Sequence, residues 1–216
     1  IKLPVILNGH INRNKPANGF IDHPEIHAIC IHNFDKPILI ISIDLLEIDT
    51  LICSKIRKTI SDKLKIPVSC IMIACTHSHT VPSAFHLGLV NINYEFVNTL
   101  EQQLLDISQE AFNEHVYCTM QISVGLCEGI GINRRKIENS QVVMAPNPEG
   151  SNDSYVKTFW FLNIKKEPIA CLVNFNMHPT TLDVSILKVS ADYPLYMRKE
   201  INNYYKKCNI LFLNGA

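Results

Sequence analysis

Apolar runs separated by polar residues predict strands and a helix in alternation along the first third of the chain. The apolar run 37–43 predicts a buried strand. A helix is predicted next, from residue 49 or 50 to about Lys65, and Pro67 ends it. Its apolar residues recur on one face at helical spacing: Leu51, Ile52, Ile56, Ile60 and Leu64. The run 68–74 predicts a second buried strand, and the three elements form a β-α-β unit whose strands are parallel.

The rest of the chain continues this mixture of strand and helix patterns. The predicted elements are a helix over 94–114, a half-buried strand over 117–124, a glycine-bearing loop running on to 133–135, a polar loop over 146–153, a strand hairpin formed by 155–164 and 168–177, a helix over 193–207 and a strand over 210–213. The pattern therefore predicts an α/β fold with a mixed β-sheet flanked by helices. The β-α-β unit lies near its N-terminus.

The length of 216 residues predicts a single domain that spans 1–216, and the pattern of strands and helices makes it an α/β domain. The last predicted strand is followed directly by Asn214-Gly215-Ala216. A domain rarely stops at the exit of a core strand, because that strand is then unprotected. We therefore expect the chain to be the N-terminal part of a longer protein.

Composition and charge exclude several classes of protein. Lys+Arg and Asp+Glu both number 20, and this balance argues against a nucleic-acid-binding protein, which needs a basic surplus. No apolar run reaches the roughly 18 residues that a membrane-spanning helix requires, so no transmembrane segment is predicted. The phosphate-binding and nucleophile-elbow motifs G-x-x-x-x-G-K-[ST] and G-x-S-x-G are also missing from the sequence.

The eight cysteines are scattered and include no C-x-x-C pair. Several alternate with apolar residues inside predicted strands, which is typical of buried free thiols. Free thiols are favoured over a disulfide scaffold and indicate a cytoplasmic protein. No signal peptide is visible, but the chain begins at Ile1. A leader removed from the N-terminus would instead make the protein secreted.

Two histidine-bearing segments carry the candidate chemistry. His77 and His79 follow the strand 68–74, and His178 follows the strand of the predicted hairpin. Ligands often bind at the carboxyl ends of strands in α/β proteins, and neutral imidazole is a common zinc ligand. Residues i and i+2 of an extended segment point to the same side. A metallohydrolase site is one interpretation; histidines that make only local hydrogen bonds are the other.

A catalytic zinc site needs about three protein ligands and an open position, so two histidines do not complete one. Possible oxygen ligands are Asp44, Glu47, Asp183 and Asp192. Arg134 or Arg135 could bind an anionic group or stabilise developing negative charge, but the sequence alone favours a solvated loop arginine. Asp22 is most simply explained as a turn residue, and Asp192 is most simply explained as a helix N-cap. The remaining histidines are assigned to surface or loop positions: His10, His23, His27, His32, His86 and His115.

An ordered series of motifs resembles the N-terminal catalytic region of the neutral/alkaline non-lysosomal ceramidases and their shorter bacterial relatives. The motifs are Leu7-Asn8-Gly9-His10 with Arg13, Gly19-Phe20-Ile21-Asp22, Ile43-Asp44-Leu45-Leu46, Thr76-His77-Ser78-His79-Thr80-Val81-Pro82, Ile132-Asn133-Arg134, Asn176-Met177-His178-Pro179-Thr180, Ser190-Ala191-Asp192-Tyr193-Pro194 and Leu213-Asn214-Gly215-Ala216. The resemblance extends over nearly the whole chain. It is the order of the motifs, more than any one of them, that makes it specific.

The resemblance implies a zinc amidohydrolase. By position, His77 and His178 would be Zn²⁺ ligands, His79 would lie beside the metal-bound water or substrate, and Arg134 would lie at the active site. A glutamate and a tyrosine ligand, and a Gly-Asp-x-Ser motif, come later in such chains. Residues 1–216 would then hold half of the metal site and be inactive alone. Ser83-Ala84-Phe85 stands where the family often has glycines, which implies a different substrate entrance.

The expected function is zinc-dependent hydrolysis of an amide bond in N-acylsphingosine or a related lipid N-acyl substrate. One alternative keeps the metal site but acts on a small soluble N-acyl compound or an ester. Another is a non-catalytic binding protein of the same fold. Fold and metal transfer between relatives more safely than substrate does.

Overall fold

The computed structural model describes residues 1–10, 13–32, 36–88 and 90–215. Ala216, the last residue of one of the motifs above, lies outside these residues. The strands are β1 (Ile26–Ile31), β2 (Ile38–Ile43), β3 (Ile71–Cys75), β4 (Cys118–Leu126), β5 (Asn133–Glu138), β6 (Gln141–Asn147), β7 (Tyr155–Asn163), β8 (Pro168–Phe175) and β9 (Asn209–Asn214). The helices are α1 (Thr50–Leu64), α2 (Tyr94–Asn113) and α3 (Tyr193–Tyr204). Within the described part of the chain, no helix is long and apolar enough to cross a membrane.

The first sheet confirms the β-α-β unit. β2 and β3 pair in parallel and are joined by α1. Asp49 caps this helix by accepting hydrogen bonds from the N–H groups of Leu51 and Ile52, and Lys65 ends it in a left-handed conformation. The strand predicted over 68–74 begins only at Ile71, because Val68–Cys70 forms a 3₁₀ turn before β3. β1 was not predicted and pairs antiparallel with β2.

The second sheet has the order β4-β7-β8-β9. β7 and β8 form the predicted antiparallel hairpin, while β8 and β9 pair in parallel. Both sheets therefore contain parallel and antiparallel pairs, which confirms the α/β class with mixed strand directions. The strands do not all join one sheet, however. The first and second sheets pack face to face through apolar side chains and, within the described residues, share no strand pairing.

Residues 133–147 differ from the prediction of loops in this region. β5 and β6 form an antiparallel hairpin with the turn at Asn139 and Ser140. Both turn residues have positive φ, 50° and 61°, as the tightest hairpin turns require. The expectation that Arg134 lies in a loop is therefore wrong: it lies in β5. The sequence of β5 is mostly polar, so it lacks the alternation of apolar and polar residues that normally indicates a strand.

The apolar faces of these helices and sheets pack against one another and form four layers. One face of the first sheet packs against α1 and α2, and the core there includes Leu39, Ile41, Ile60 and Leu104. Its other face packs against the second sheet, where the Ser42 hydroxyl donates a hydrogen bond to the Phe212 carbonyl at 2.6 Å. α3 covers the far face of the second sheet. The order is helices, sheet, sheet, helix.

Candidate metal centre

The two histidine-bearing segments meet although they follow strands of different sheets. His77 and His79 come directly after β3, and His178 comes three residues after the end of β8. The N–H of His77 donates to the Leu45 carbonyl at 2.8 Å, and its φ of 73° turns the chain sharply at this point. A positive φ is uncommon for a residue other than glycine. The backbone is therefore held in a strained conformation at His77.

Three imidazole rings converge at this edge. One ring nitrogen each from His77, His79 and His178 can be chosen so that all three lie within 4.8 Å of one another. The Nε2 atoms of His79 and His178 lie 2.8 Å apart. Among the residues that the structure describes, these three histidines form the group of side chains that is arranged to hold a metal ion. The structure therefore offers three nitrogen donors where the resemblance implied two.

The His77 ring is oriented by the backbone. Its Nδ1 lies 2.9 Å from the carbonyl oxygen of Leu46. A carbonyl only accepts hydrogen bonds, so Nδ1 carries the proton and Nε2 keeps its lone pair. Metal-binding histidines commonly have such an outer hydrogen bond, which fixes both the tautomer and the ring plane. His77 is therefore prepared to donate its lone pair through Nε2.

Burial keeps two of the rings uncharged. Burial, reinforced by His178, His77 and His10, lowers the pKa of His79 to about 3. Burial, reinforced by His77, Arg134 and His10, lowers the pKa of His178 to about 4. Both rings are therefore neutral near pH 7, and neutral imidazole is the form that binds a metal. Clustered nitrogen donors of this kind suit zinc or a similar transition metal, so the residues present fit the implied ion.

Two residues near the N-terminus hold His79 in place. Gly9 has a φ of 102°, and a Cβ atom added there would lie 2.6 Å from the Cβ and Cγ atoms of His79. Arg13 is buried and donates hydrogen bonds to the carbonyl of His79 at 2.6 Å and to that of Asn8 at 3.3 Å. Its Nε donates to the Val184 carbonyl at 3.3 Å. The glycine and arginine of the opening motif thus serve the H-x-H segment.

Arg134 lies at the beginning of β5 with an exposed side chain. Its positive charge is one of the causes that lower the pKa of His178, so its guanidinium lies within electrostatic range of the histidine cluster. Its assignment to the active site, like the division of roles among the three histidines, stays a prediction.

The four acidic residues considered as oxygen ligands do not belong to the metal cluster. Asp44 is buried and accepts hydrogen bonds from Arg198 and from the N–H of Glu25. Glu47 and Asp183 are exposed. Asp192 is the N-cap of α3, which confirms its prediction as a cap.

His10 is a residue of this region that the sequence pattern did not single out. It lies outside the helices and strands, as its assignment to a surface or loop position allows. Its ring centroid is nevertheless 5.2 Å from that of His79, and its Nε2 is buried without a hydrogen-bond partner among the described residues. Periodicity gave no sign of this, because residues 1–10 form only isolated bridges. Only the opening motif, which ends at His10, connected the residue with the site.

The fold has relatives among solved structures. The chain is similar to the crystal structure of neutral ceramidase from Pseudomonas aeruginosa, with a TM-score of 0.79 and 16% sequence identity over 97% of this chain and 35% of that chain. A ceramidase in complex with C2 gives a TM-score of 0.79 and 16% identity over 97% of this chain and 34% of that one. No protein-family model and no curated protein sequence matches. The chain spans about a third of either solved relative and shares with them a ceramidase-like fold.

Proposed function

We propose that this chain belongs to a zinc-dependent hydrolase that cleaves the amide bond of an N-acyl lipid of the ceramide type. The observation that carries the proposal is the cluster of His77, His79 and His178, whose ring nitrogens converge at the strand ends of a ceramidase-like fold. The low pKa values of His79 and His178 support it, because both rings are available as uncharged donors.

His77 and His178 would hold the ion. His77 would donate through Nε2, since its Nδ1 is engaged with the Leu46 carbonyl. When bound, zinc would supply a Lewis acid that polarises the scissile carbonyl and lowers the pKa of a water to near neutrality. The strained backbone at His77 fixes the ring before any ion arrives, which reduces the ordering needed on binding.

His79 would act beside the ion as a neutral hydrogen-bonding group. Its pKa of about 3 means that the ring is not a cation at pH 7. It can therefore donate one hydrogen bond to the developing oxyanion while its other nitrogen keeps a lone pair. Gly9 and Arg13 hold the residue on either side, so the position of this donor is set before substrate binds.

Arg134 would bind the polar end of the substrate. Its exposed guanidinium presents several N–H donors in a fixed plane near His178. Such a group suits the hydroxyl and carbonyl oxygens of a sphingoid base, while the acyl chain requires apolar contacts elsewhere. An arginine at this place orients the scissile bond and does not itself exchange protons.

A smaller substrate is the second candidate. Two cavities of about 450 Å³ and 230 Å³ lie against α2, and their walls do not include the three clustered histidines. A small soluble N-acyl compound or an ester would not need an acyl-chain groove.

Metal content tests the proposal first. The full-length protein purified without added metal is expected to contain about one zinc by mass spectrometry, and His178→Ala is expected to lose it. His86→Ala is the matched control, because His86 is exposed and outside the cluster. Zinc retained at full stoichiometry in His178→Ala, or absent from the wild type even after titration, would overturn the metal assignment.

Substrate is tested next on the zinc-loaded full-length protein, because this chain spans only about a third of the solved relatives. Release of fatty acid from short-chain and long-chain N-acylsphingosines is compared with release from soluble N-acyl amino compounds and from esters. Hydrolysis of the lipid amides supports the ceramidase-type proposal, and hydrolysis of only the soluble compounds supports the second candidate. Zinc binding without any hydrolysis would favour a non-catalytic binding protein.

A further inference from the structure

Residues 190–193, which lead into α3, lie between the two histidine-bearing segments. On one side, the Ser190 carbonyl accepts hydrogen bonds from the Ser78 hydroxyl at 3.0 Å and the Thr80 hydroxyl at 2.9 Å. The N–H of Ser190 donates to the Thr80 carbonyl at 3.0 Å. These bonds hold the residues on both sides of His79.

On the other side, the same short segment holds the loop that carries His178. The Asp192 carboxylate accepts hydrogen bonds from the Thr181 N–H at 3.0 Å and the Thr181 hydroxyl at 2.7 Å. The Tyr193 hydroxyl donates to the Met177 carbonyl at 2.7 Å. The loop is thus tied immediately before His178 and three residues after it.

Asp192 differs from an ordinary helix cap. Asp49, which caps α1, has a φ of −53°, and its side chain bonds only to its own helix. Asp192 has a φ of 63° and a ψ of −163°, a conformation that only glycine adopts readily, and it is 2% exposed. Its carboxylate caps the Tyr193 N–H at 2.6 Å and still reaches Thr181. Capping a helix does not require this backbone, as Asp49 shows.

We propose that Asp192 is a positioning residue that fixes His178 against His79 by holding the loop at Thr181. As far as it concerns zinc, this inference rests on the proposed function. Asp192 touches neither ring, so its effect passes through the loop backbone. Without the carboxylate, the loop keeps hydrogen bonds only on the side before His178, from Tyr193 to Met177 and from Asn176 to Asp153. The 2.8 Å approach of the two Nε2 atoms is then no longer held from both sides of His178.

Two variants separate positioning from simple stability. Thr181→Val removes the hydroxyl that Asp192 accepts and keeps the side-chain shape, and Thr181 is exposed, so the fold should tolerate it. Asp192→Ala removes the whole interaction. Asp49→Ala is the matched control, because it removes a helix N-cap that has no bond to either histidine loop.

Zinc affinity and the ring signals of His178 are the two measurements on the full chain. Competition with a chromophoric chelator is expected to show a loss of about tenfold or more in affinity for Asp192→Ala, in the range known for outer-shell partners of metal ligands. A smaller loss is expected for Thr181→Val and none for Asp49→Ala. In the metal-free protein, the NMR shifts of the His178 ring are expected to move in the first two variants alone.

Each outcome decides the inference. Wild-type zinc affinity and unchanged His178 shifts in both Asp192→Ala and Thr181→Val would overturn it, even if both variants were less stable. Should Asp192→Ala fail to fold, Thr181→Val decides alone. If the wild type binds no zinc, the proposed function fails, but the His178 shifts still show whether Asp192 positions this ring.

Discussion

At the scale of single residues, Gly9 combines a positive φ with a close approach to His79. Its φ is 102°, and an added Cβ would meet His79 at 2.6 Å. Gly9→Ala is therefore expected to lower the free energy of unfolding by about 1–3 kcal/mol and to weaken zinc binding at least as much as Asp192→Ala. Urea unfolding and chelator competition measure the two effects.

Gly129→Ala provides the control for Gly9→Ala. Gly129 also has a positive φ, 78°, but nothing lies within 4 Å of an added Cβ. This variant suffers the backbone strain without the contact, so its zinc affinity should equal that of the wild type. Equal zinc affinities for both alanine variants would show that Gly9 does not shape the position of His79.

Cysteine reactivity is a second prediction at this scale. All eight cysteines lie among the described residues and are unpaired, as the sequence predicted. Burial raises the pKa of Cys171 to about 12 and that of Cys208 to about 11, so neither forms a thiolate at pH 8. Iodoacetamide should label the exposed Cys118 quickly and these two only after unfolding, as peptide mass spectrometry would show. Rapid labelling of Cys171 in the native protein would contradict its burial.

At the scale of elements, α3 is anchored by a buried ion pair as well as by its apolar face. Arg198 in α3 binds the carboxylate of Asp44, which follows β2, and donates to Glu25 at 2.9 Å. Removal of one partner leaves a buried charge uncompensated, so Arg198→Ala is expected to cost about 3–5 kcal/mol in urea unfolding. Lys58→Ala, which breaks an exposed pair with Asp62, should cost less than about 1 kcal/mol. Similar losses in both variants would mean that Asp44 is not desolvated in the folded protein.

Elements with clear local signals could be predicted, and those without them could not. α1 has a capping aspartate, apolar residues at helical spacing and a proline after its end, and its bounds agree with the sequence pattern. β5 has the sequence NRRKIE with five of its six side chains exposed, so no apolar alternation marks it. Its hairpin depends on a turn at Asn139 and Ser140, a pair weaker as a turn signal than Asn-Gly.

At the scale of the whole molecule, the site depends on contacts that no local pattern encodes. Sequence spacing placed His77, His79 and His178 at strand ends, and the order of motifs connected them. The packing of two sheets face to face brings Nε2 atoms 99 positions apart in the chain to 2.8 Å. His10 and Asp192 come near the site through tertiary contacts alone, so periodicity assigned the first only to a surface or loop position and the second only to a cap.

Because the histidines come from loops of different sheets, a bound ion would join the two sheets at one edge. A ligand that binds only the folded state stabilises it by about 2.7 kcal/mol when its free concentration is 100 times Kd. Zinc at that level should therefore raise the midpoint of thermal unfolding, and EDTA should reverse the rise. His178→Ala should show neither shift, and His86→Ala should behave as the wild type.

Hydrogen exchange should slow on zinc binding in the segments that follow both β3 and β8. Slowing in only one of them, or an equal zinc-induced rise in His178→Ala, would mean that the ion does not bridge the sheets.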